Sequence, residues 1–301
     1  MSATPGACAP PDWSSRSLGR RWQHRFFYVL LRFLGLKPAR FVLFWVVLVY
    51  CLRPKIAGRA KAYLRQRFGC SSGAGFFFHV FKLYWMFGSI LLERAAAGIL
   101  GKYSVSSGTD ILWKLLEEGR GVILLGAHVG AWQIALAGLK NCGGINIVQP
   151  RNGNDVDLHV FEHGSARVGP VRIIDPEDGA GCFVEIHAAL KRGEIVCLMG
   201  DRRAPGEKLA VEVDFLGRKA LFPGSAFVLA SLTQAPLAVV FTRRVGESAV
   251  ECAWPLLVRM PAGIKSKEAV SGYVSGFARQ LELYVMENPY QFFNFYDLWA
   301  S

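Results

Sequence analysis

Apolar positions recur along this chain with two periods. Short apolar runs at 121–127, 145–149, 171–174, 195–200, 211–215, 236–242 and 249–254 read as strands. Segments 129–140, 156–167, 179–191, 224–233 and 268–286 read as helices between them. Runs that are apolar at successive positions belong to strands buried on both faces, the habit of parallel sheets. Alternation of the two predicts an α/β fold, with a mostly parallel sheet flanked by helices. Upstream, Phe76 to Gly98 is apolar and aromatic with few charges. It predicts one long helix, packed on the sheet or against a bilayer. A further helix over Asp110 to Glu118 opens at Thr109 or Asp110 and stops at Gly119. Ser71-Ser-Gly-Ala-Gly75 marks a boundary. No internal repeat is visible.

The first 68 residues differ in charge. Residues 1 to 68 hold 13 Lys and Arg against one acid, Asp12, while the other 22 basic and 22 acidic residues cancel. The whole excess of +12 therefore sits there. The same region carries apolar runs at Phe26 to Leu36 and at Phe41 to Leu52. The second has 12 residues, short of the ~20 that span a bilayer. Basic residues beside short apolar runs predict an interfacial or re-entrant helical hairpin on the cytoplasmic leaflet, monotopic or with a single span. A buried helix of a soluble core is the competing reading. The division expected is a disordered 1–15, a basic membrane-associated helical region 16–70, and an α/β domain 71–301. Residues 1 to 15 lack an apolar h-region, so no secretory signal is expected.

The stretch Gly121-Val-Ile-Leu-Leu-Gly-Ala-His128-Val-Gly-Ala-Trp-Gln133 carries the clearest candidate chemistry. It places His128 at the carboxyl end of a strand, where open α/β sheets bind ligands. A histidine followed five residues on by a polar partner suits acyl transfer, with imidazole near neutral pKa taking a proton from an acceptor hydroxyl. Gly126 and Gly130 would admit a thioester close to the backbone. Backbone N–H groups opening the 129–140 helix would meet the oxyanion. Asp201 and Arg202 end the 195–200 strand. They suit a phosphate-bearing substrate or a structural ion pair. Arg151, after the strand ending at Pro150, is a further cation at a strand end; Arg203 is a weaker one. Gly224 and Ser225 open a helix that would either donate to a phosphate or simply cap.

In these blocks the chain resembles a known family. His-x4-Asp/Glu after an apolar strand marks the glycerolipid and lysophospholipid acyltransferase superfamily. The chain is most similar to its bacterial lipid A biosynthesis acyltransferase branch, over roughly residues 75 to 299. Ile195 to Arg203, Val213 to Ser225 with Gln234-Ala-Pro236, and Asn288-Pro289-Tyr-Gln291-Phe-Phe-Asn-Phe-Tyr296 resemble the family's later blocks. The resemblance implies an acyl chain moved from acyl carrier protein, or from coenzyme A, to a hydroxyl of a lipid A precursor or other lipid. It implies an inner-membrane location, His128 as base, and an acid at the position of Gln133. An amide there keeps a hydrogen-bond acceptor and loses the charge. Asp201 is then the candidate carboxylate, and a catalytically idle lipid-binding relative is the alternative. A hydrolase that gives the acyl group to water is a further rival.

Other chemistries find no support. The seven cysteines are scattered without CxxC pairing and read as reduced core residues. His159, His163 and His187 read as helix-surface residues, with no third ligand apparent, so no metal and no cofactor is expected. There is no GxSxG elbow, P-loop or GxGxxG, and no nucleic-acid motif accompanies the basic segment.

Overall fold

A computed structural model describes residues 21–100, 104–106, 109–136, 143–150, 171–203, 207–246 and 249–299. The 1–15 segment, the 156–167 helix, Arg151, His159 and His163 lie outside the described residues. Five helices come first: α1 (Arg21–Leu34), α2 (Leu36–Cys51), the short α3 (Pro54–Ala57), α4 (Lys61–Phe68) and the long α5 (Gly73–Leu100). Strands β1 (Ser104–Ser106), β2 (Val122–Gly126), β3 (Ile145–Val148), β4 (Val171–Ile174), β5 (Ile195–Met199), β8 (Leu237–Val245) and β9 (Ala249–Val258) form one sheet in the order β1-β9-β8-β2-β5-β3-β4. Every pairing is parallel except β8 with β9. The expected α/β architecture is present.

Both faces of the sheet are covered, which explains the unbroken apolar runs. Along β2, Val122 and Leu124 face a cluster that includes Leu112 and Leu115 of α6 (Thr109–Leu116). Ile123 and Leu125 face the larger core, with Ile186 and Leu190 of α8 (Ala180–Lys191) and Phe277 and Leu281 of α10 (Lys267–Glu287). α10 opens at Ser266, whose hydroxyl accepts from the Ala269 N–H.

Two strands, β1 and β7 (Arg218–Pro223), go beyond the sequence reading, whereas β6 (Ala210–Phe215) is the strand expected at 211–215. β1 is a three-residue edge, too short for an apolar pattern. β6 and β7 form a separate antiparallel hairpin. Its turn places Leu216 at φ 51° and Gly217 at φ 77°, the left-handed pair of a two-residue hairpin turn. Leucine at the first of these positions disguises the turn. Its backbone is held from two sides: its N–H donates to Glu282 Oε1 (3.0 Å) and its carbonyl accepts from Gln66 Nε2 (2.5 Å).

Glu194, just before β5, is buried under Arg192, Arg172 and Asn146 at 2.8–3.0 Å. The Arg192 contact dominates, and together these donors hold its carboxyl down at about 2 against the cost of burial. A depressed carboxylate stabilises the fold above its unfolded pKa, and that contribution is lost as pH falls towards 2. Glu194→Gln is expected to flatten the dependence of thermal midpoint on pH between about 4.5 and 2. An unchanged dependence would contradict this assignment.

Candidate active site

β2 and β5 are neighbours, and their register brings the site together. Gly126 is level with Met199, and the Gly200 N–H donates to the Gly126 carbonyl (2.8 Å). Two residues further along each strand stand His128 and Asp201, at the carboxyl edge. His128 Nδ1 lies 2.9 and 3.1 Å from the two Asp201 oxygens. The Asp201 side chain is 1% exposed and that of His128 28%. Burial works against the Asp201 charge, but His128 and then Arg202 outweigh it and hold the carboxyl below its ordinary range. An ionised Asp201 accepts from Nδ1–H, which leaves Nε2 as the basic nitrogen.

Arg202 is turned into the protein. Its Nη2 donates to the Phe293 carbonyl (2.7 Å), its Nε lies 4.0 Å from Asp201, and its guanidinium stands 5.5 Å from the Tyr296 ring centre. Burial pulls its pKa below the ordinary range, and Asp201 opposes that pull. These contacts support Asp201 more directly than they support a phosphate. The Tyr296 hydroxyl donates to the Asp201 backbone carbonyl (2.9 Å).

The turn carrying His128 is clamped by the C-terminal segment. The Phe293 N–H donates to the His128 carbonyl (2.9 Å), and the Gly130 N–H donates to the Gln291 carbonyl (2.8 Å). Gln291 is fixed in turn by the backbone N–H and carbonyl of Arg244 on β8 (2.8 and 3.2 Å). This accounts for the Gln-aromatic tail noted in the sequence. The described helix after the turn, α7, spans Trp132–Leu136 rather than starting at 129, because 127–131 form the clamped turn. The Val129 and Gly130 N–H groups are committed to Ala127 and Gln291, so neither is aimed at an oxyanion.

The two glycines beside His128 differ. Gly130 has φ 54°, and a Cβ there would sit 1.7 Å from the Thr242 carbonyl oxygen. At Gly126 the nearest atom would be 3.6 Å away. Gly130 is thus demanded by packing on β8, whereas Gly126 has room for a methyl. Gly130→Ala is expected to cost at least about 2–3 kcal/mol, read by chemical denaturation, with Gly126→Ala tolerated. Equal tolerance of both would contradict the geometry. Gly224 is buried at the start of α9 (Ser225–Thr233), its N–H donating to Leu209, while Ser225 is exposed. A Cβ at Gly224 would meet Leu209, just before β6, and Val270 of α10.

Gln133 lies one turn beyond the clamp, where Arg94 of α5 donates to its side-chain oxygen. The adjacent Glu93 is buried between Arg40 of α2 (2.6 Å) and Arg244 of β8 (2.7 and 2.6 Å). Neither role was foreseen. The available signal was a Glu-Arg pair inside an otherwise apolar helix, since buried charges are kept with partners. His187 stacks on Phe183 (6.0 Å between ring centres). Among the described residues no group of three or more metal-ligating side chains occurs. Burial pushes the Cys197 thiol up to about 12.

No curated protein sequence matches the chain. The sequence model described as bacterial lipid A biosynthesis acyltransferase matches residues 77–301. That span contains α5 from Phe77 onward, both strand ends of the site and the C-terminal clamp, so the chain belongs to the bacterial lipid A biosynthesis acyltransferase family.

Proposed function

We propose that the protein is a membrane-associated O-acyltransferase that works through a His128–Asp201 pair. The single observation that carries this reading is the contact between His128 Nδ1 and a buried carboxylate at adjacent strand ends. Asp201 fixes the ring and stabilises the imidazolium that forms. Nε2 takes the proton of the acceptor hydroxyl, and the hydroxyl oxygen attacks the thioester carbonyl. The tetrahedral intermediate collapses with loss of the C–S bond, and the imidazolium returns its proton to the leaving thiol. Attack is direct, in a ternary complex, with no acyl-enzyme.

The donor is acyl carrier protein, with acyl-coenzyme A second. The acceptor is a lipid A precursor or another hydroxylated lipid at the cytoplasmic face of the inner membrane. Trp132 and the apolar residues of 76–92 line the acyl path. Arg151 and Arg203 are left to meet acceptor phosphate, with Gly224 and Ser225 as a further candidate; Arg202 serves Asp201. Gln133 holds Arg94 and so the α5–α7 contact.

A second reading rests on the sequence resemblance. The family pattern read from it has an acid where this chain has Gln133, as expected of a relative that binds lipid without catalysis. A labelled acyl donor incubated with membrane lipid extract separates the readings. Label in a new lipid supports the transferase, label in free fatty acid would mark a hydrolase, and no turnover with either donor would leave the binding protein.

A further inference from the structure

We infer that Thr242 of β8 is a positioning residue for His128 and acts through the backbone of Val129. This role deepens the acyltransferase reading above and rests on it. What carries it is the level at which three neighbouring strands end.

Around the site the sheet runs β8-β2-β5. Met199 is level with Gly126, which brings Asp201 level with His128. On the other side Val239 is level with Leu125. Three residues further along the chain in each case stand Thr242 and His128. The histidine is thus flanked by a carboxylate after β5 and a hydroxyl on β8. Asp201 holds the ring, and Thr242 holds the main chain. Its Oγ1 donates to the Val129 carbonyl (3.0 Å). Thr242 is 2% exposed and Val129 1%. A hydroxyl so buried and so committed does not touch substrate, and its effect passes through the turn.

The turn is tight. The Val129 N–H donates to the Ala127 carbonyl (2.7 Å), which closes a γ-turn with His128 at its apex. His128 is not among the non-glycine residues at positive φ, so this is the inverse form common at strand ends. One internal bond does not aim such a turn. Its direction is set by what binds its other polar groups, and these are bound in succession. The His128 carbonyl accepts from the Phe293 N–H (2.9 Å), the Val129 carbonyl from Thr242, and the Gly130 N–H donates to the Gln291 carbonyl (2.8 Å). Of these three bonds, the Thr242 bond is the one made by a side chain. A substitution can therefore remove it and leave the main chain intact.

Thr242 is itself well fixed. Its carbonyl accepts from the Tyr284 hydroxyl of α10 (2.8 Å). β8 is paired with β2 on one side and β9 on the other. Two residues on, the backbone of Arg244 holds the Gln291 side chain (2.8 and 3.2 Å). The end of β8 therefore holds both the His128 turn and the C-terminal segment that closes over it.

Loss of the hydroxyl takes this donor from a carbonyl packed in the apolar core, which is costly. The peptide after His128 then rotates towards another donor. The Cα–Cβ bond of His128 turns with it, and Nδ1 moves off the Asp201 carboxylate. Acyl transfer needs Nε2 at the acceptor hydroxyl, and a misplacement of ~1 Å costs about 10²-fold in rate. The surfaces that bind donor and acceptor are untouched, so the loss falls on kcat and not on KM.

The test compares substitutions in the full chain, in detergent. Thr242→Val keeps the shape and loses the hydroxyl, Thr242→Ser keeps the hydroxyl and loses the methyl, and Thr242→Ala loses both. Ser231→Ala is the control for stability. Ser231 is also 1% exposed and donates to a backbone carbonyl, that of Pro261 (2.5 Å), but it lies in α9, before β8 starts. One readout is kcat and KM for acyl transfer. The other is the proton spectrum of protein carrying isotope-labelled histidine, in which an Nδ1 proton bonded to a buried carboxylate lies far downfield. The signal of His128 is identified by its loss in His128→Ala. The valine and alanine variants are expected to lose about 10–10²-fold in kcat, with KM unchanged and the His128 signal lost. The serine variant is expected to keep both. Ser231→Ala is expected to lower the thermal midpoint and leave both readouts as in wild type. A valine variant that keeps kcat and the signal, a serine variant as slow as alanine, or a control that slows equally would each overturn the role of Thr242. Should the valine variant fail to fold, the serine and alanine variants decide alone, since they too differ by the hydroxyl. Wild type that turns over neither donor refutes the acyltransferase reading instead, and the His128 signal still decides whether Thr242 sets the histidine.

Discussion

Asparagine at Asp201 is expected to lower acyl transfer by about 10⁴-fold, the loss seen when an amide replaces the carboxylate behind a catalytic histidine. The reason is local. Asp201 is 1% exposed and holds His128 Nδ1 at 2.9 Å. Asparagine keeps the shape but not the charge that stabilises the imidazolium. Gln133→Glu is expected to do much less. A carboxylate at 133 would meet Arg94, which already donates to that side chain, and Asp201 already supplies the charge. Steady-state rates of the two variants check this. A large gain from Gln133→Glu, or full activity in Asp201→Asn, would move the working carboxylate back to position 133.

The second large effect is on stability. Glu93→Ala is expected to cost about 3–5 kcal/mol, the range for removing one partner of a buried ion pair. Glu93 is bonded both to Arg40 of α2 and to Arg244 of β8. Its loss withdraws the carboxylate that those guanidinia share and loosens the N-terminal helices from the sheet. Glu93→Gln, which keeps the shape and one acceptor oxygen, is expected to cost less. The free energy of unfolding in denaturant, measured in detergent, reads both. A loss under 1 kcal/mol for the alanine variant would show that the helices are held by apolar packing alone.

Much of the site was legible because it depends on strand ends. Two apolar runs, 121–127 and 195–200, each stop just before a polar residue, and their pairing is enough to set His128 beside Asp201. Local patterns do not specify which strands are neighbours, so Gln133 and Asp201 remained alternatives in the sequence. The structure shows which of them touches Nδ1. What escaped the sequence is set by distant contacts. The clamp joins His128 to residues 291–293, and Glu93 reaches β8 from a helix 151 residues earlier. The β6–β7 turn escaped because Leu216 adopts a conformation usually given to asparagine or glycine. Arg202 was placed correctly at the strand end, yet its direction follows from Phe293 and Tyr296, far along the chain.

The most direct test of the central claim is a single turnover of labelled acyl donor by folded wild type and His128→Ala, with membrane lipid extract as acceptor. Direct attack assisted by His128 predicts that label passes from thioester to lipid with none held on the protein, and that the variant is slower by about 10²–10⁴-fold. Label trapped covalently on the protein, or a variant as fast as wild type, would contradict it.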